Sequence, residues 1–249
     1  MFSKIQPMLR EARATYALRK QYKRFIGIRA GDKFEYLQAP EALWATKSHA
    51  FWVLLPLMLH KTRPREIAEL GSGRSIIYLS EYAAKHQQRL ISIDDDPKWV
   101  AAGNLVCRFG GLPGDFIKHV PSSKTEQQEF YDLEGLAEHI EQPDFLFLDG
   151  PVHRKLDAAG MAFVCRMAAQ AEVIIIDDVH RRVVFEQIAP LMAASGCEHR
   201  FFNEYDVSPK FRNALVILAN NRTRPLIAQA MDFIEFPLTA DYSEQNCAE

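Results

Sequence analysis

Carboxylates stand at the ends of four short apolar runs in this chain. Glu69 lies within Ile67-Ala68-Glu69-Leu70, and Asp94 follows Leu90-Ile91-Ser92-Ile93. Asp149 follows Phe145-Leu146-Phe147-Leu148, and Asp177 with Asp178 follows Val173-Ile174-Ile175-Ile176. Ionised carboxylates accept hydrogen bonds from hydroxyl and ammonium groups and bind hard divalent cations through oxygen. Gathered in one crevice, they would repel one another unless something positive joined them. Next to the first of them lies Gly71-Ser72-Gly73, whose glycines permit positive φ and let backbone N–H groups come close to a ligand.

These groups converge only if the apolar runs are strands of one sheet. Ile67 to Leu70 reads as a short buried strand, Ile76 to His86 as a helix, and Leu90 to Ile93 as the next strand. The continuous apolar runs 145–148 and 173–176 read as parallel strands buried on both faces. In an open α/β sheet, ligands bind beyond the carboxyl ends of the strands, so Gly71, Asp94, Asp149, Asp177 and Asp178 are expected around one crevice. Asp94 lies about 20 residues beyond the glycine turn, the interval that brings an acid beside a ribose. A dinucleotide fingerprint would want a third glycine where Ile76 stands, and Glu69 would repel a pyrophosphate while suiting an ammonium group.

Glu69-Leu70-Gly71-Ser72-Gly73, followed by the acid Asp94, resembles the first motifs of class I S-adenosylmethionine-dependent methyltransferases. The resemblance implies that Glu69 meets the methionine amino group, that Gly71, Ser72 and Gly73 hold the cofactor, and that Asp94 binds the ribose, with Asp149 beside them. The acids after the fourth and fifth strands resemble the metal-dependent O-methyltransferases of the catechol and caffeoyl-CoA group. By that resemblance Asp149, Asp177 and Asp178 hold a divalent metal, with magnesium expected, which would lower the pKa of an acceptor hydroxyl. The lysine that group carries three positions after its first metal acid is replaced by Val152, with His153, Arg154 and Lys155 following. His153, Lys155 and His180 are the candidate catalytic residues, histidine because it titrates near neutrality. Arg154, Arg181 and Arg182 could bind an anionic substrate or be solvated surface.

The 249 residues are enough for one large α/β domain, and an apolar content of 48% supports a packed core. A formal charge of −2 gives no global attraction to nucleic acid, and none is expected as a partner. Four scattered cysteines without a C-x-x-C pair argue against a zinc site or a disulfide framework and make a reducing cytoplasm the default. The run from Phe51 to Leu59 contains Pro56 and is too short to span a bilayer, and the N-terminus lacks a signal-peptide apolar core.

Residues 1–60 read as a basic helical cap. Arg10, Arg13, Arg19, Lys20, Lys23, Arg24 and Arg29 could meet a membrane surface, an acidic partner or solvent, while Trp44, Ser48 and Phe51 are pocket or core residues. Residues 61–220 form the expected Rossmann-like catalytic domain, and 221–249 a helix and a polar tail. Beyond Phe116 to Val120, read as a strand, residues 124–138 read as loop and short helix. Val183 to Ala194 reads as one helix, with strands 198–207 and 214–219 closing the sheet in antiparallel sense. The expected fold is therefore α/β, a mostly parallel sheet with an antiparallel final strand and helices on both faces. The expected activity is methyl transfer to an oxygen of a small molecule or sugar. Another enzyme class on the same fold, and a non-catalytic cofactor-binding protein with a basic partner-binding arm, are the alternatives left open.

Overall fold

The computed structural model of the chain describes residues 58–73, 75–109, 115–125, 129–150, 156–179, 182–196, 198–203 and 214–220, together with Leu55, Leu112 and Pro225. The basic arm, Trp44, Ser48 and Phe51 lie outside the described residues, as do the expected C-terminal helix, Pro225 apart, and the tail.

The elements follow the order β1 (Glu66–Leu70), α1 (Ser75–His86), β2 (Arg89–Asp94), α2 (Pro97–Phe109), β3 (Ile117–His119), β4 (Ser122–Lys124), β5 (Glu129–Tyr131) and α3 (Leu133–Ala137). They continue with β6 (Phe145–Leu148), α4 (Ala158–Gln170), β7 (Val173–Ile176), α5 (Arg182–Phe185), α6 (Ile188–Ser195), β8 (Glu198–Asn203) and β9 (Ala214–Ala219). Seven strands form one sheet in the order β3-β2-β1-β6-β7-β9-β8. The first five run parallel, and β9 is antiparallel to both β7 and β8. This is the α/β, Rossmann-like sheet with an antiparallel finish that the sequence pattern implied.

The strand order explains the two layers of helices. From β1 the chain steps to β2 on one side, and from β6 to β7 on the other. Right-handed crossovers in opposite directions put α1 and α4 on opposite faces of the sheet. Strands covered on both sides must be apolar throughout, and every residue of β6 and β7 is buried. Ala68, Leu70, Leu146, Leu148, Ile174 and Ile176 form one core with Leu136 of α3, Phe163, Val164 and Met167 of α4 and Leu191 of α6. Gly160 lets α4 settle onto β5, since a Cβ there would stand 2.5 Å from the Phe130 ring.

Two local expectations differ from the structure. The polar stretch after β3 holds a small antiparallel hairpin, β4–β5, where loop was expected. Its strands are three residues each, too short for alternation to be read. The helix expected over 183–194 is broken between Phe185 and Ile188. Pro190 accounts for the break: its ring clashes with the carbonyl four residues back, at Glu186, and it cannot donate there, whereas it is tolerated in the first turn of α6.

Candidate cofactor site

The strand order reverses between β1 and β6, so the carboxyl ends of these two strands open a crevice. The glycine turn sits there. Gly71 has φ +89°, and its N–H donates to Ile93 O at 2.9 Å, fastening the turn to β2. Leu70 O accepts from both Asp149 N and Gly150 N, each at 2.8 Å, fastening the end of β1 to the end of β6. A Cβ on Gly71 would stand 2.4 Å from Gly150 N, which leaves no room for any other residue. The Asp149 carboxylate lies over the second glycine, with Oδ2 3.8 Å from the point a Cβ on Gly73 would occupy.

Asp94 is joined to the same turn. Its Oδ2 accepts from Ser72 N at 2.9 Å and its Oδ1 from Asp96 N at 2.8 Å. Asp94 is 7% exposed, and burial pushes its carboxyl up to about 6 despite these two amides, with Asp95 adding repulsion. Ser72 contributes a second feature, because its Oγ is buried with no hydrogen-bond partner among the described residues. A buried hydroxyl without a partner is costly, and a ligand that supplies one recovers that cost.

Glu69 sits one layer lower. It is fully buried, and its two oxygens accept from Ser75 Oγ at the start of α1 and from Ser92 Oγ on β2. Burial raises its carboxyl from 4.5 to about 7; the two serines pull the other way, and Asp94 adds to the rise. The acid that the resemblance turns toward an amino group is here enclosed by protein hydroxyls, tying β1, β2 and α1 together beneath the glycine turn. Ser75 and Ser92 were not singled out from the sequence. Ser92, a polar residue in an otherwise apolar strand and opposite Glu69 in the β1–β2 register, carried a signal.

Asp177 and Asp178 behave differently from the expectation. Asp177 is 3% exposed, its N–H donates to Leu148 O at 2.9 Å, and its Oδ1 accepts from Asp178 N at 2.8 Å. Asp178 adopts φ +57°, a left-handed conformation that aspartate tolerates better than most residues. Among the described residues no three His, Cys, Asp or Glu side chains group so that they could hold a metal ion. The expected set of Asp149, Asp177 and Asp178 is not among such groups, and one oxygen of Asp177 is engaged by the backbone of its own loop. His153, Lys155 and His180 lie outside the described residues, with Arg154 and Arg181. An apolar cavity of about 40 Å³ below Gly150 is lined by Leu70, Leu148, Val164, Ile176 and Leu191. Among its described lining residues the polar side chain is Gln187, whose amide is satisfied by Leu156 N and Val183 O.

No protein-family model and no curated protein matches the chain. Solved structures similar to it include an O-methyltransferase from Bacillus cereus in complex with SAH, at 16% identity and TM-score 0.48, covering 82% of this chain and 97% of that one. A putative O-methyltransferase from Klebsiella pneumoniae is similar at 14% identity and TM-score 0.44, with 83% and 90% covered. The N-terminal domain of human METTL16 in complex with SAH is similar at 13% identity and TM-score 0.46, with 72% and 74% covered. All three scores lie below one half, so the chemistry has to be argued from the crevice itself. No described helix is long and apolar enough to cross a membrane.

Proposed function

We propose that this chain is an S-adenosylmethionine-dependent methyltransferase acting on an oxygen of a small molecule or sugar. The observation that carries the reading is the bond from Ser72 N to Asp94 Oδ2, which joins the glycine turn after β1 to the acid ending β2. That bond brings a backbone cradle and a ribose-binding carboxylate into one site.

The residues present fit such a cofactor. Asp94 accepts hydrogen bonds from ribose hydroxyls, and the unpartnered Ser72 hydroxyl receives a polar atom of the ligand. Gly71 and Gly73 admit the ligand to the backbone, and the carboxylate of Asp149 above Gly73 favours a positive ligand over a neutral one. S-adenosylmethionine, when bound, supplies an electrophilic methyl group on a positively charged sulfur. Transfer forms an O–C bond at the acceptor as the C–S bond breaks, with the electron pair passing to sulfur and the acceptor proton to a base. His153, Lys155 and His180 are the proposed sources of that base. No step of the transfer is routed through a metal, because among the described residues no three His, Cys, Asp or Glu side chains group to bind one.

Titration calorimetry of the whole chain with S-adenosylmethionine tests the reading. One site per chain, weakened by Asp94→Ala, is the expected result and would justify a screen of hydroxyl acceptors. Absence of any binding heat across a range of temperatures would remove the proposal.

A further inference from the structure

We propose that Tyr131 is a ligand-binding residue of this crevice, its phenolic O–H donating to the nucleoside portion of the ligand that Asp94 holds. This rests on the cofactor reading above. Tyr131 lies on β5 opposite Ser122 of β4, and Ser122 Oγ donates to Oδ2 of Asp95, the residue that follows Asp94. The ring of His119, at the end of β3, also lies within 3.2 Å of Asp95 O. The hairpin is therefore fastened to the acidic end of β2.

The Tyr131 hydroxyl is 3.5 Å from the point that a Cβ on Gly150 would occupy, and the same point lies 3.0 Å from Gly71 Cα. The hydroxyl thus stands where the ends of β1 and β6 meet. Its surroundings decide its chemistry. Burial, together with Asp94, Asp95, Asp149 and Glu69, holds the phenol well above its ordinary pKa, so it keeps its proton. The hairpin that carries the hydroxyl is held through Ser122 to Asp95, next to Asp94, which sets Tyr131 on the ribose side of the crevice.

A crevice lined by carboxylates serves a ligand's donors, such as ribose hydroxyls or an ammonium group. It serves the ligand's acceptors poorly. The ribose ring oxygen and the purine nitrogens need an O–H or N–H, and a protonated phenol beside Gly150 supplies one. The ring itself is held by packing, edge-on to Phe130 at 5.8 Å between centroids, so the hydroxyl is presented from a rigid base.

The test uses Tyr131→Phe, which keeps the ring and removes one oxygen. Affinities for S-adenosylmethionine and for 5′-methylthioadenosine, which lacks the amino-acid portion, are measured by calorimetry on both proteins, with melting temperatures alongside. Both ligands are expected to weaken by roughly five- to tenfold, the effect of one hydrogen bond, with little change in melting. Unchanged affinity overturns the proposal. Weakening of S-adenosylmethionine alone also overturns it, because the hydroxyl would then meet the amino-acid end. A Tyr131→Phe protein that fails to fold overturns it too, since a hydroxyl needed for folding is engaged within the protein. If the unaltered chain binds neither ligand, it is the cofactor reading that fails.

Discussion

Gly71 and Gly150 meet backbone to backbone, so that a single added carbon on Gly71 would come within 2.4 Å of Gly150 N. The contact joins the ends of the two central strands, and Gly71 also needs its φ of +89°. Gly71→Ala would face a clash that no side-chain rotation relieves, on top of roughly 1–2 kcal/mol for the left-handed backbone. Urea denaturation should show a loss of at least about 2 kcal/mol, and binding of S-adenosylmethionine should disappear. Wild-type stability in Gly71→Ala would mean that the two turns can part at little cost.

Glu69 makes the stability of the protein sensitive to pH. Its folded pKa is raised from 4.5 to about 7, so the folded state holds a proton that the unfolded chain has released. The resulting stabilisation is complete below about pH 4.5, is lost as pH rises toward 7, and stays lost above it. Asp94 acts in the same direction between 3.8 and about 6. Glu69→Gln, which remains neutral, should flatten the fall in stability between pH 5 and about 7, a difference of a few kcal/mol over that range. The check is the difference between the two proteins' denaturation midpoints across pH; parallel curves would contradict it.

Asp94→Asn separates two jobs of one carboxylate. Asparagine keeps one acceptor for Ser72 N or Asp96 N and presents an NH₂ to the other. It also loses the charge that favours ribose hydroxyls. The dissociation constant for S-adenosylmethionine should rise about tenfold or more, equivalent to roughly 1.4 kcal/mol, while the fold persists in circular dichroism.

Chelation should leave cofactor affinity alone. Asp94, Asp149 and the glycine turn form the proposed ligand site without any ion, and among the described residues no three acids group around one. Calorimetry with and without EDTA should give dissociation constants within about twofold, inside the usual scatter of such measurements. A larger loss would place a metal in the cofactor site and reopen the role of Asp149.

Much of the fold was legible because its signals are long and mutually consistent. Phe145–Leu148 and Val173–Ile176 are continuous apolar runs that only a doubly covered sheet explains, and the glycine turn fixed where the crevice opens. The partners of Glu69 were less visible, since Ser75 and Ser92 reach it only once β1 and β2 pair in register. Tyr131 was missed for the same reason at greater distance. Its strand is three residues long, and nothing local shows that its hydroxyl reaches Gly150. The metal expectation rested on side-chain type, which does not show how a carboxylate is engaged: one oxygen of Asp177 accepts from the backbone N–H of Asp178.

The position of β9 between β7 and β8 also governs the order in which the molecule can be completed. β7 is synthesised well before β9, and until β9 arrives its row of N–H and C=O groups stays open on that side. The crevice-forming half of the sheet, from β3 to β7, has its parallel neighbours in hand earlier. Before β9 pairs, β7, apolar throughout, has one edge without its partner strand. That edge is open to pairing with another chain until β9 covers it.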